Sequence, residues 1–197
     1  MIEFWFDLGS PYAYFAAREI DALAARHGRA AVWRPFLLGA VFRTTGNRPL
    51  LEQPLKGDYI RRDWERLARR AGIPWRLPER APISGVAASR AFYSLDDQDP
   101  EAARRFARAA FEACYVEGRD LGDPAEVAAV WRAQGLDPAA LEAALADPAV
   151  KDRLRRRTAE AEARGIFGSP LFIVDGEPFW GHDRMPMLEE WLARGGW

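Results

Sequence analysis

Residues 2–6, Ile-Glu-Phe-Trp-Phe, form a run that is apolar at every position but one. Such a run suits a strand buried on both faces of a sheet, where no alternation between core and solvent is needed. It passes through Asp7-Leu8-Gly9 into Ser10-Pro11, and then into a helical pattern. Serine is favoured at a helix N-cap, and proline at the first helical position, where its missing N–H would have gone unpaired anyway. The sequence therefore places Ser10 at a strand-to-helix junction, with its hydroxyl among free backbone N–H groups at the positive end of the helix dipole. That position stabilises an anion, a thiolate included. It equally suits a serine that does nothing but cap the helix.

After Pro11 the positions Ala13, Ala16, Ile20, Leu23 and His27 recur at spacings of three and four, one face of a helix, with Gly28 as its stop. Ala30 to Phe36 reads as a second strand closed by Pro35. Strand, helix and strand at this spacing form a βαβ unit, whose strands run parallel through a right-handed crossover. Leu37 to Pro54 carries no clear period, and a short helix is expected over Ala40–Thr44. The stripe Ile60, Trp64, Leu67, Ala71 predicts a helix closed by Gly72, and an irregular segment follows with Pro74, Pro78 and Pro82. The next eighty or so residues read as helical, punctuated by Asp-Pro at 99–100, 123–124, 137–138 and 147–148. Each pair sets an N-cap residue before a proline at the first helical position. Leu171–Val174 is a third strand, Asp175-Gly176 a hairpin turn, Glu177–Trp180 a fourth strand antiparallel to the third, and a last amphipathic helix runs through Leu188, Trp191 and Leu192.

The order is β-α-β, a helical block, then β-β-α. With the block removed, a four-stranded mixed sheet flanked by helices remains, so the expected fold class is α/β: a thioredoxin-like fold with an inserted all-helical domain. The division is 1–47 plus 161–197 for the first and 48–160 for the second.

A formal net charge of −1 argues against a general nucleic-acid or anionic-membrane binder. The single cysteine, Cys114, allows no intramolecular disulfide, and no basic-then-apolar leader or transmembrane-length run is present, so a cytoplasmic location is expected. No cysteine–histidine cluster has metal spacing, so no metal is expected. Cys114 and His27 read as packing residues, and Arg153, Arg155, Arg156 and Arg157 as a solvated face.

Several stretches together carry a resemblance: Phe4 to Tyr14, Pro35-Phe36-Leu37-Leu38-Gly39, Thr45-Gly46-Asn47, and Gly165-Ile166-Phe167-Gly168-Ser169-Pro170 through Phe179-Trp180-Gly181-His182-Asp183-Arg184. The sequence resembles the 2-hydroxychromene-2-carboxylate isomerases, relatives of kappa-class glutathione transferases and DsbA-like oxidoreductases. The likeness spans essentially the whole chain and is weakest through the helices after Pro82. Where a DsbA-like oxidoreductase carries Cys-x-x-Cys, this chain has Ser10 and Ala13. A thiolate at the cap must then come from a ligand, and the resemblance implies glutathione as cofactor.

The resemblance implies the roles that follow. Ser10 donates a hydrogen bond to the glutathione sulfur; one such bond to a charged group is worth ~1.5–3 kcal/mol, or roughly one to two pKa units. Pro170 is a cis proline that turns the backbone of Ser169 toward the cysteinyl backbone of glutathione. Asp183 binds the γ-glutamyl amino group or caps the last helix, and His182 joins the cofactor side or is a plain loop residue. Arg43, Asn47 and Tyr12 face the substrate, with Asn47 also near glutathione, and Arg43 stands where the family more often has lysine, keeping the charge but changing its geometry. Arg43 would suit the carboxylate of a small aromatic substrate. The implied reaction is ring-opening cis/trans isomerisation through a glutathione thiolate adduct in aromatic catabolism, by a homodimer. A kappa-like transferase or peroxidase, and a non-catalytic thioredoxin-like binding domain, are the alternatives.

Overall fold

The computed structural model describes residues 1–197. Strands β1 (Ile2–Phe6), β2 (Ala31–Pro35), β3 (Leu171–Val174) and β4 (Glu177–Trp180) form one sheet in the order β2-β1-β3-β4. β1 pairs parallel with β2 and antiparallel with β3, and β3 pairs antiparallel with β4. Pro178, which has no N–H for a ladder, sits in β4, at the edge of the sheet where it is tolerated.

β1 is central and covered on both faces, which is why its sequence does not alternate. Its side chains still point alternately to opposite sides. Ile2, Phe4 and Phe6 enter the large core, and Trp5 a smaller one with Phe36, Val41, Ala161, Ile166 and Leu171. The large core is shared by the sheet, by α1 (Pro11–Arg26) and by the helical block, where Phe6 meets Phe92 and Phe111 at ring centroid separations of 6.1 and 5.8 Å.

Helix α2 (Leu38–Thr45) follows β2 and begins two residues before the expected Ala40. A 3-10 turn at Leu50–Glu52 leads into α3 (Lys56–Ala71), α4 (Val86–Asp96), α5 (Pro100–Tyr115), α6 (Pro124–Ala133), α7 (Pro138–Ala146) and α8 (Pro148–Ala163); α9 (Met185–Arg194) closes the chain. All four Asp-Pro pairs behave as the sequence predicts. The carboxylates of Asp99, Asp123, Asp137 and Asp147 each accept a backbone N–H from the first turn of the helix they precede. α4 has no such pair and starts after Gly85 without a side-chain cap.

Arg153 is not on a solvated face. Its guanidinium bonds Asp96 at 2.6 Å and the Tyr93 carbonyl at 2.9 Å, and lies 4.6 Å from the centre of the Tyr93 ring, so it pins α8 to α4. Arg155 and Arg156 are exposed and pair with Asp152 on their own helix. No helix is long and apolar enough to cross a membrane.

Candidate active site

Ser10 occupies the N-cap of α1 in extended conformation, with Pro11 next to it. Its Oγ accepts the N–H of Ala13 at 3.3 Å and donates to the carbonyl of Ser169 at 3.0 Å. The hydroxyl therefore joins the cap of α1 to the approach of β3. Ser169 precedes Pro170 through a cis peptide bond, as expected at this place, and its own Oγ accepts the backbone N–H of Asp7 at 2.8 Å.

Asp7 ties a third element in. Its carboxylate accepts from Gly9 N at 2.7 Å and from Leu38 N at 2.8 Å, so the loop before α1 and the start of α2 hang on one buried side chain. Burial pushes its pKa up, against the two N–H bonds that pull it down. The segment between α3 and α4 closes over this arrangement. A Cβ on Gly9 would stand 2.6 Å from the Ile83 carbonyl oxygen, and one on Gly85 would stand 2.7 Å from Asp7 Oδ1. Both places need glycine for the close approach itself.

These elements border a cavity of about 170 Å³. Ser10, Asp7 and Ser169 lie on its wall; Leu38 and Phe42 of α2, Trp64 of α3, and Leu77 and Ile83 supply much of its apolar surface. Tyr12 and Tyr115 also border it. The Tyr12 hydroxyl donates to Asp63 Oδ2 at 2.7 Å, and burial together with that carboxylate pushes its pKa up, so the phenol stays protonated at neutral pH. Tyr115 donates to the Leu8 carbonyl at 3.4 Å and is likewise kept neutral by burial. None of the bordering residues is lysine, arginine or histidine.

Of the residues singled out in the sequence, the structure brings Ser10, Tyr12 and Ser169 together around this cavity, with Pro170 adjoining through Ser169. The others stand outside its wall. Asp183 is exposed, in a 3-10 turn at His182–Arg184, and bonds Arg184 at 3.0 Å. Its charge reaches Tyr12, whose pKa it helps to raise. It does not cap α9, whose N-cap is Arg184 with no side-chain bond. His182 packs on the Phe15 ring, with Nε2 3.4 Å from Glu19 Oε1. Asn47 is exposed, and its Oδ1 accepts from Arg48 N and Gln53 Nε2, both at 2.9 Å. Arg43 borders a different cavity, on the far side of α2. Asp7, Trp64 and Tyr115 were not singled out. Asp7, directly after the strand and two residues before a glycine, is the one of these with a local signal.

A sheet of this order, with a capped helix N-terminus facing a cis proline and serine in place of the first cysteine, defines a thioredoxin-like protein without its own redox pair. Residues 1–193 match the DSBA-like thioredoxin domain, and the chain belongs to that family. It is 30% identical over 193 residues to a 2-hydroxychromene-2-carboxylate isomerase of Sphingobium xenophagum, covering 97% of each chain. It is 31% identical over 212 residues to glutathione S-transferase kappa 2 of Caenorhabditis elegans, covering 98% of this chain and 92% of the relative. A solved structure of a 2-hydroxychromene-2-carboxylate isomerase superposes with a TM-score of 0.87 at 29% identity, over 98% of this chain and 94% of that one.

Proposed function

We propose that this protein is a glutathione-dependent enzyme in which Ser10 holds the glutathione sulfur as a thiolate, and that its reaction is isomerisation of a 2-hydroxychromene-2-carboxylate-type substrate. The observation that carries the reading is the Ser10 hydroxyl, fixed at a helix N-cap between Ala13 N and the Ser169 carbonyl and bordering an apolar cavity. The relatives named isomerase and kappa transferase support it at full length.

The residues present fit such a ligand. The Ser169 carbonyl, held beside Ser10, is an acceptor for a peptide N–H, as an added strand would use it. Asp183, exposed and anionic near Tyr12, suits an ammonium group. Glutathione, when bound, supplies the nucleophilic sulfur. The chain's part is to lower the thiol pKa and to hold the acceptor. To donate to sulfur, the Ser10 hydroxyl turns from the Ser169 carbonyl, and the helix N-terminus adds its positive end. Leu38, Phe42 and Trp64 offer the substrate ring an apolar wall, while Tyr12 and Tyr115 border it as neutral phenols whose protons go to Asp63 and the Leu8 carbonyl. Arg43 would meet a substrate carboxylate only by reaching around α2. The protein is read as cytoplasmic and homodimeric, with the pathway role in aromatic catabolism following from the isomerase reading.

A second reading rests on the cavity itself. A wall without a cationic side chain suits an uncharged electrophile better than a carboxylate, which favours a kappa-like transferase that consumes glutathione. One experiment separates the two. Isomerisation of the chromene carboxylate with the thiol count unchanged supports the first, and thiol loss with a neutral aromatic electrophile supports the second. Absence of glutathione binding by calorimetry at millimolar ligand defeats both.

A further inference from the structure

Behind the candidate site, α2 forms the wall of a second and larger cavity, about 580 Å³, bounded by α8 and reached by one side chain of α4. The two cavities use opposite sides of α2: Leu38, Gly39 and Phe42 border the first, Leu37, Ala40 and Arg43 the second. The second is a cationic site. Arg43, Arg90, Lys151 and Arg155 converge on it from three helices against two carboxylates, Asp152 and Glu162. Asp152 is already taken by Arg155 and Arg156, and Glu162 accepts from Thr44 Oγ1 at 3.1 Å. Arg43, Arg90 and Lys151 have no carboxylate within ion-pair distance, although most arginines of this chain do.

Arg90 is the telling member. It is half-buried, its Nε is sealed from solvent, and that N–H has no acceptor anywhere in the protein. That sealed N–H lies beyond a ligand's reach, but the half-buried side chain borders the cavity, and a guanidinium fork pairs best with an oxyanion that takes two parallel bonds. With Lys151 and Arg43 also on the wall and also without a carboxylate, the cavity favours a ligand of more than one negative charge and has room for an organic part beyond the anion.

We propose that this cavity binds the phosphate or diphosphate group of a small molecule, with Arg90 as the fork and Arg43 and Lys151 as flanking cations. The proposal is independent of what binds at Ser10. The test is calorimetric titration of the full chain with inorganic pyrophosphate. One saturable site per chain is expected, weakened at least about tenfold by Arg90→Met and by Arg43→Ala, the latter at an exposed position that spares the core. Arg48→Ala, which removes an exposed cation outside the cavity, should leave binding as in the wild type. No saturable heat at millimolar pyrophosphate, equal weakening by all three substitutions, or unweakened binding in folded Arg90→Met and in Arg43→Ala overturns the proposal. Citrate binding as tightly as pyrophosphate contradicts the assignment to phosphate.

Discussion

Replacing Ser10 by cysteine tests the cap without any ligand. Ser10→Cys places a sulfur where Oγ now accepts Ala13 N at 3.3 Å, at the first turn of a sixteen-residue helix. Two effects favour the thiolate there: an N–H bond to a charged acceptor, about 1.5–3 kcal/mol, and the helix N-terminus, about 0.3–1 kcal/mol. Two oppose it. Ser10 is only 7% exposed, and the Ser169 carbonyl lies 3.0 Å from its Oγ, while Asp7 borders the same cavity. The balance leaves a drop of about one to two units from an ordinary thiol near 8.5. The assay is the pH dependence of alkylation by iodoacetamide. The native Cys114 is silent in it, because it is buried and burial pushes its thiol up. A titration midpoint at or above the ordinary thiol value would refute the claim that this cap stabilises sulfur anions.

Two further substitutions probe the Asp7 knot. Gly85→Ala sets a Cβ 2.7 Å from Asp7 Oδ1, a side chain that two backbone N–H groups hold in place. A stability loss of about 1–3 kcal/mol with weakened glutathione binding is expected, read from the denaturant midpoint and by calorimetry; wild-type values for both would show that the contact is slack. Asp7→Asn addresses pH. Burial raises the folded pKa of Asp7 above its ordinary 3.8, so the carboxyl's contribution to stability is present at low pH and is lost as pH rises through the folded value. In urea titrations from acid to neutral pH the wild type should therefore lose stability relative to Asp7→Asn as pH rises, and a constant or growing wild-type advantage contradicts it.

What the sequence made legible was local. The four Asp-Pro caps, the Asp175-Gly176 turn and the Ser10-Pro11 junction each depend on residues within one turn of each other, and each is where the pattern puts it. What was hidden depends on distance. Asp7 reads as an ordinary loop carboxylate until Leu38, thirty-one positions on, lends it an N–H. Arg153 sits in an arginine-rich stretch that reads as solvated, and only the fold brings Asp96 to it. The resemblance implies Arg43 at the substrate. The phase of α2 sets it apart from the Ser10 cavity: with Phe42 turned to that cavity, the next residue falls about 100° around the helix, on the other wall. Helical phase over eight residues cannot be read from a segment without a clear period.

In the proposed function, Ser10 and the helix N-terminus hold the sulfur of bound glutathione as an anion. The thiolate's ultraviolet absorbance, followed against pH with glutathione bound to the wild type and to Ser10→Ala, measures it directly. The thiol should titrate below its free value in the wild type and move back up by roughly one to two units in Ser10→Ala. The same pKa in both proteins, with glutathione bound in each, would contradict the claim.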